Sequence, residues 1–209
     1  MSLLDHIDNY CERTDPGLWA EPVNALSNLC FLIAAGLLWQ QAENSAAPKC
    51  QRRFAALVAL IGLCSGLFHF FGTVWSAVLD VGSITLFILA WLYQYQRRVE
   101  GFSARLAALG LAAFIVVDRL VAAIGSLGLN GSEGYLLPGA LLIVLSLRQP
   151  GLRWLRVAAC VFPLSLTLRS LDNALCDAWP IGTHWGWHAL NGLVLYGCVR
   201  ALFSARRAP

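Results

Sequence analysis

Two histidines four residues apart open the last apolar stretch of the chain, which reads "IGTHWGWHAL" over residues 181–190. On a helix, His184 and His188 share one face, with Cβ atoms about 5–6 Å apart. Both imidazoles can then reach a single metal ion. The alternative is that two amphipathic side chains, flanked by Trp185 and Trp187, anchor a helix end at a membrane interface.

A second group of polar residues lies near the end of an earlier apolar stretch. Ser65 and His69 are also four residues apart, and Asp80 follows a turn so short that the two helices it joins must be antiparallel neighbours. Three histidines with one open position are a usual ligand set of catalytic zinc, whose bound water is acidic enough to attack near neutral pH. His69, His184 and His188 are therefore candidate zinc ligands. Asp80 would act as the base, or would orient a ligand or the water.

Each of these residues has a plainer interpretation when it is considered alone. A lone histidine near a helix end is usually interfacial, Ser65 would more often pack between helices, and Asp80 could pair with an arginine. The joint arrangement favours the zinc site. The fourth histidine, His6, lies in the polar N-terminal region and stays outside it.

The elements that must position these residues are apolar helices. The chain has 209 residues, of which 58% are hydrophobic and 13% charged, and its mean hydropathy is +0.62; a soluble domain carries about 25% charged residues. Stretches of about 20 apolar residues recur, and each is long enough to cross a ~30 Å hydrocarbon core. We predict one all-α domain over residues 1–209, in which a polar, acidic segment (1–21) without a signal peptide precedes seven transmembrane helices. The predicted spans are 22–41, 54–73, 75–95, 104–127, 134–148, 153–172 and 183–203.

The basic residues predict the orientation of this bundle. Twelve of the fifteen lie on alternate connections or at the C-terminus: Lys49, Arg52, Arg53, Arg97, Arg98, Arg105, Arg148, Arg153, Arg156, Arg200, Arg206 and Arg207. The opposite connections hold none, so the positive-inside rule places the N-terminus outside and the C-terminus in the cytoplasm. These clusters are orientation signals, and no nucleic-acid partner is predicted.

With this topology, polar residues of four spans reach one level near the outer leaflet. Glu21, Asn24 and Ser27 at the start of the first span join the candidate zinc ligands, Ser65 and Asp80 there. Ionisable groups inside spans are rare and costly, which makes them candidates for function. Four others, in the fourth and sixth spans, are expected to form ion pairs within the bundle: Asp118, Arg119, Arg169 and Asp172.

Three motifs resemble those of the alkaline ceramidases and their bacterial relatives. The stretch "YCERTDPGLWAEPVNALSN" resembles the family's Cys-Glu segment followed by Glu-x-x-Asn-x-x-Ser, and "HWGWH" resembles its His-x-x-x-His. The stretch "SGLFH", with Asp80 eleven residues after its histidine, is similar to the Ser-x-x-x-His and aspartate of the family. The resemblance spans residues 8–188 in the same order. The wider superfamily consists of seven-helix membrane hydrolases and includes the adiponectin receptors.

The resemblance implies a hydrolase in which His69, His184 and His188 bind zinc. Asp80 would deprotonate the metal-bound water, the hydroxide would attack a lipid amide, and zinc and Ser65 would stabilise the oxyanion. Family members cleave the N-acyl bond of ceramides and release a sphingoid base and a fatty acid. The implied location is the bacterial inner membrane, with the site toward the periplasmic leaflet and open to a lipid that enters from the bilayer.

The resemblance also implies a calcium ion near the zinc site. Oxygen ligands suit this hard cation, and the candidates are Asp8, Asn9, Glu12, Asp15 and Glu21, with Thr14 as an alternative to Asp15. This chain departs from the family there, because Asn9 replaces an aspartate and the segment between Cys11 and Glu21 is shorter. The other interpretation is a solvated acidic segment.

Seven cysteines are present, of which only Cys11 and Cys176 fall on the predicted outer side, an oxidising compartment in bacteria. The family joins its N-terminal cysteine to one before the last span. The resemblance therefore implies a Cys11–Cys176 disulfide that holds the acidic segment over the zinc site; two free thiols are the alternative.

The sequence thus predicts a zinc-dependent membrane amidase that acts on ceramide or a ceramide-like lipid, without an obligate protein partner. The sequence does not identify the lipid, and a different lipid amide or an ester is an alternative substrate. A receptor or lipid sensor with a structural zinc is a second hypothesis, which the short cytoplasmic loops disfavour. A transporter that uses Asp118, Arg119 and Arg169 is a third, and the lack of an inverted repeat counts against it.

Overall fold

A computed structural model describes residues 2–123 and 125–204 of the chain. Arg206 and Arg207, which belong to the predicted cytoplasmic cluster, lie outside these residues. Within the described ranges the fold is all helical, and its only β-type pairing is an isolated bridge between His6 and Thr73. The all-α class is confirmed.

Each predicted apolar segment contains a helix, and the first contains two. The helices are α1 (Pro22–Ser27), α2 (Leu29–Gln41), α3 (Pro48–Phe71), α4 (Val74–Arg98), α5 (Ala104–Ala122), α6 (Leu136–Arg148), α7 (Arg153–Leu171) and α8 (His184–Ser204).

Four helical segments are long and apolar enough to cross a membrane, which indicates a membrane protein. These are Pro22–Asn44, Pro48–Phe71, Val74–Arg98 and Arg153–Leu171. Helix α6 has only 13 residues, so it extends about 20 Å at 1.5 Å per residue, less than a hydrocarbon core.

Most helix ends lie within three residues of the predicted spans, and two differ by five residues or more for local reasons. Helix α3 begins at Pro48 instead of residue 54, because proline suits the first helical position and the polar residues after it continue the helix. Helix α5 ends at Ala122 instead of residue 127. Gly125 and Gly128 adopt positive φ angles of 96° and 73°, and such angles are incompatible with a right-handed helix.

The bundle is arranged around α8. Helix α8 packs against α7 and α2, α3 lies between α2 and α4, and α6 packs on α7. At the contact between α7 and α8 the backbones approach closely, since a Cβ added at Gly197 would lie 2.8 Å from the Trp154 carbonyl oxygen. Small residues allow such contacts in membrane bundles.

The outer surface of the bundle is apolar. Leu147 is 75% exposed, Leu109 66% and Leu120 64%, and Ala107 is the one fully buried residue of α5. Large leucines that point outward all along a helix are typical of contact with lipid.

The N-terminal segment lies against one end of the bundle. Its backbone pairs with the turn between α3 and α4, where Ile7 N–H donates to the Gly72 carbonyl at 2.7 Å and Val74 N–H donates to the Asp5 carbonyl at 3.1 Å. A Cys11–Cys176 disulfide joins it to the segment before α8. The predicted disulfide is confirmed.

Candidate metal centre

The three predicted histidines lie together inside the bundle. His69 comes from α3, and His184 and His188 come from the first turns of α8. Each is at most 2% exposed, and one ligand atom from each lies within 4.8 Å of the others. The group is able to hold a metal ion.

Glu21 determines the tautomer of His69. Its Oε2 atom lies 2.6 Å from Nδ1 of His69, with both side chains buried. A carboxylate can only accept, so Nδ1 carries the hydrogen, and in the neutral imidazole Nε2 then presents its lone pair. Metal-binding histidines are commonly held in this way by a carboxylate.

Ser27 has the same effect on His188. Its hydroxyl donates its single hydrogen to the Asn24 carbonyl at 2.7 Å, and its oxygen lies 2.7 Å from Nδ1 of His188. Nδ1 of His188 must therefore be the donor to Ser27, which leaves Nε2 as a lone pair.

The two lone pairs face each other. Nε2 of His69 lies 3.2 Å from Nε2 of His188. When both imidazoles are neutral, neither nitrogen carries a hydrogen, so this contact is repulsive unless a cation, either a proton or a metal ion, lies between or beside the two atoms. The arrangement therefore calls for a positive charge at this point.

His184 completes the donor set. Its ring stacks on Tyr10 with the centroids 3.6 Å apart, and its Nδ1 atom is buried without a hydrogen-bond partner. The His184 ring centroid lies 5.2 Å from that of His69 and 4.5 Å from that of His188. Three imidazoles grouped in this way fit a metal ion, and neutral imidazoles suit zinc. The residues present fit the group that the sequence implies.

Ser65 and Asp80 line the cavity on which His184 and His188 also open. The Ser65 hydroxyl lies 3.4 Å from Nε2 of His188. Oδ1 of Asp80 is buried and has no hydrogen-bond partner. Asp80 thus lies beside the histidine group without belonging to it. This position suits a residue that acts as a base or that orients a ligand.

The cavity has a volume of about 160 Å³ and is mostly apolar below its polar end. It reaches Trp91 on α4 and Cys198 on α8. Trp91 is eleven residues beyond Asp80, about 16 Å along the helix. This depth suits an acyl chain whose polar end lies beside the histidines.

The candidate calcium ligands do not converge. Asp8, Asn9, Thr14 and Asp15 are exposed, whereas Glu12 accepts the backbone N–H groups of Val23 and Asn24 at the start of α1, at 2.6 and 2.8 Å. Among the described residues, the histidines form the only group of three or more His, Cys, Asp or Glu side chains close enough to share a metal. The structure gives calcium no support.

Glu21 is occupied by other partners. Its Oε1 accepts Nε of Arg13 at 2.6 Å and its Oε2 accepts Nδ2 of Asn24 at 3.1 Å, besides His69. Burial raises the pKa of Glu21, but His69, Arg13 and Asn24 together outweigh it and leave the pKa below its usual value. Glu21 is therefore an anion at neutral pH that holds His69, a candidate metal ligand.

Arg13 contributes to the site although the sequence interpretation assigned it no role. Its Nη2 atom donates to the His69 carbonyl at 2.9 Å, and Nη1 donates to the carbonyls of Asp15 and Gly17 at 3.2 and 3.3 Å. The guanidinium thus links the N-terminal segment to the end of α3. One feature of the sequence could have indicated this role: Arg13 is the only Lys or Arg in the acidic segment 1–21.

The ion pairs expected within the bundle are only half correct. Arg119 pairs with Asp118 at 2.6 Å, but Arg169 does not pair with Asp172. Asp172 is fully buried and accepts backbone N–H groups instead, from Cys11 at 2.9 Å, Thr183 at 2.6 Å and His184 at 2.9 Å. Asp172 directly follows α7 and lies beside the start of α8, where the first backbone N–H groups have no partner within the helix. Its carboxylate binds these N–H groups instead of the Arg169 guanidinium.

No family model, curated protein or solved structure matches the chain. The geometry of the site and the chemistry of its side chains therefore carry the functional argument.

Proposed function

We propose that the chain is a zinc-dependent membrane hydrolase that cleaves the N-acyl amide bond of a ceramide-like lipid into an amine and a fatty acid. The observation that carries the proposal is the group of three buried imidazoles. Nε2 of His69 lies 3.2 Å from Nε2 of His188, and one ring nitrogen of each of the three histidines lies within 4.8 Å of the others. This set lies at the end of an apolar cavity with a carboxylate and a hydroxyl.

His69, His184 and His188 would hold the zinc ion through neutral imidazoles. When bound, zinc makes water acidic and polarises a carbonyl. Asp80 then takes a proton from water through its carboxylate and returns it to the leaving amine. The Ser65 hydroxyl donates a hydrogen bond to the carbonyl oxygen as negative charge develops there, and the apolar cavity binds the acyl chain and excludes water.

The proposed topology has seven membrane spans, with the N-terminus and the site toward the periplasm of a bacterial inner membrane. The alternating basic connections support it. So does the position of the disulfide, which lies at the same end of the bundle as the histidines. Helix α6 is short, so its crossing requires a locally thinned bilayer or the adjoining turn Glu133–Tyr135.

The test is hydrolysis by purified protein of ceramide, an N-acyl amino acid and a fatty ester, with and without a zinc chelator. We expect cleavage of at least one amide, loss of turnover in the Asp80→Asn variant, and unchanged zinc content in that variant. Asp118→Asn is the matched control, because that carboxylate pairs with Arg119 and does not line the cavity.

The outcomes separate the alternatives. Stoichiometric zinc without cleavage of any lipid would favour a receptor-like protein with a structural zinc. Cleavage of the ester alone would change the substrate class. Protein purified from zinc-containing medium that holds no zinc would refute the metal centre.

A further inference from the structure

Arg169 lies in an aromatic enclosure at the polar end of the cavity. It is in the last turn of α7, and its guanidinium carbon lies 5.3 Å from the ring centroid of Tyr135, 5.8 Å from that of Trp187 and 5.9 Å from that of Tyr10. It lines the same cavity as Ser65, His184 and His188.

The guanidinium has donors to spare. Nη1 donates to the Asn130 carbonyl at 2.6 Å and to the Ser132 hydroxyl at 2.9 Å, and Nη2 donates to the Tyr10 hydroxyl at 3.3 Å. A guanidinium has five N–H groups. The three bonds leave one N–H of Nη2 and that of Nε without an acceptor among residues 2–123 and 125–204.

Arg169 also has no carboxylate in ion-pair contact; Asp80 faces the same cavity and attracts the guanidinium only from a greater distance. In the described part of the chain no carboxylate lies within 4.0 Å of it. Asp172, three residues further along the chain, accepts backbone N–H groups with both of its carboxylate oxygens. Arg169 is half-buried, and aromatic faces offset only part of the cost of partly removing a cation from water. An anion in the cavity would compensate the charge and accept the spare N–H groups.

We propose that Arg169 binds the anionic group of an acyl amphiphile whose chain fills the cavity, a carboxylate or a phosphate. This inference rests on the proposed hydrolase function. It adds that the substrate or the product of the same site carries a negative charge. Two sources have this chemistry: the acidic headgroup of an N-acyl lipid, which lies on the amine side of the amide, and the carboxylate of the released fatty acid.

The experiment measures binding without turnover, so that its failure is distinct from a failure of hydrolysis. Zinc-loaded Asp80→Asn protein in micelles is titrated calorimetrically with N-decanoylglycine, decanoate and the uncharged amide of N-decanoylglycine. Addition of Arg169→Gln should weaken binding of an anionic amphiphile by about 10- to 100-fold, the effect of a hydrogen bond to a charged group. Binding of the uncharged amphiphile should be unchanged.

The arms distinguish the sources. If Arg169→Gln weakens binding of N-decanoylglycine only, Arg169 binds the acidic headgroup of an N-acyl lipid. If it weakens binding of decanoate only, Arg169 binds the released fatty acid. If it weakens binding of both, Arg169 recognises the carboxylate that the two amphiphiles share. Arg119→Gln is the control for removal of an arginine, since its side chain is 75% exposed on the outside of the bundle. Equal weakening of all three amphiphiles, or of none, would overturn the proposal.

Arg169→Lys covers the case in which Arg169→Gln does not fold. It keeps the charge but cannot reproduce the forked donor geometry. We expect this variant to retain the preference for the anionic over the uncharged amphiphile, with weaker binding than the parent protein. A complete loss of that preference in a folded, zinc-loaded Arg169→Lys protein would refute a charge-based role.

Discussion

Glu21 and His69 are 48 residues apart in sequence and 2.6 Å apart in the fold, with Oε2 of the carboxylate against Nδ1 of the imidazole. This contact turns the Nε2 lone pair of His69 toward His188. It also connects the candidate metal centre to the N-terminal segment, because the other oxygen of Glu21 binds Arg13.

Glu21→Gln should weaken zinc binding about 10- to 100-fold, the usual effect of removing a carboxylate that orients a metal-binding histidine. The amide can still contact Nδ1, but it lacks the charge that makes the imidazole a stronger ligand. Competition with a chromogenic chelator measures the affinity. Glu12→Gln is the matched control on the same segment, because Glu12 binds only backbone N–H groups. Equal affinities for Glu21→Gln and the parent protein would contradict this role.

Removal of the metal should destabilise the protein. Three buried imidazoles with converging lone pairs lose their shared cation, so a chelator should lower the melting temperature and added zinc should restore it. Single alanine variants of His69, His184 and His188 should each lose most of the bound zinc in elemental analysis. His6→Ala, at an exposed histidine of the N-terminal segment, should retain it. A melting curve that does not respond to the chelator would count against a bound metal.

The three clustered histidines could be predicted from sequence because their signal is local. A spacing of four residues places His184 and His188 on one face of any helix, and the short turn after His69 makes its helix a neighbour of the next. The disulfide followed from a resemblance between motifs and not from spacing. Both are present in the structure.

The side chains around these histidines could not be predicted in the same way. The contact of Glu21 with His69 depends on how α1 crosses the end of α3, and no local periodicity encodes that crossing. Asp172 and Arg169 lie three residues apart, a spacing that favours an ion pair on a helix. The helix ends before Asp172, and the free N–H groups at the start of α8 are an alternative partner that spacing does not reveal.

Glu12→Gln should lower the melting temperature by a few degrees whether or not calcium is present. Both carboxylate oxygens of Glu12 accept backbone N–H groups of α1, and an amide can replace only one of them, at a cost of about 1 kcal/mol. Thermal unfolding with calcium and with a calcium-selective chelator checks the result. A loss of stability that occurs only in the presence of calcium would instead show that Glu12 is a calcium ligand.

Gly182→Ala should loosen the start of α8 and with it the metal centre. Gly182 has a φ of 62°, in the region that costs other residues about 1–2 kcal/mol. An added Cβ would lie 2.1 Å from Oδ1 of Asp172 and 2.9 Å from Cβ of Cys11. The methyl group would displace the carboxylate that accepts the N–H of His184, so we expect a lower melting temperature and weaker zinc binding together.

The matched control is Gly36→Ala in α2, where a Cβ would meet no described atom within 4 Å. There alanine should be neutral or stabilising, by up to about 1 kcal/mol, because it favours the helix more than glycine does. Chelator competition and thermal unfolding of both variants provide the comparison. If Gly182→Ala lowers stability but leaves zinc affinity at the parent value, Asp172 holds the segment before α8 without positioning His184.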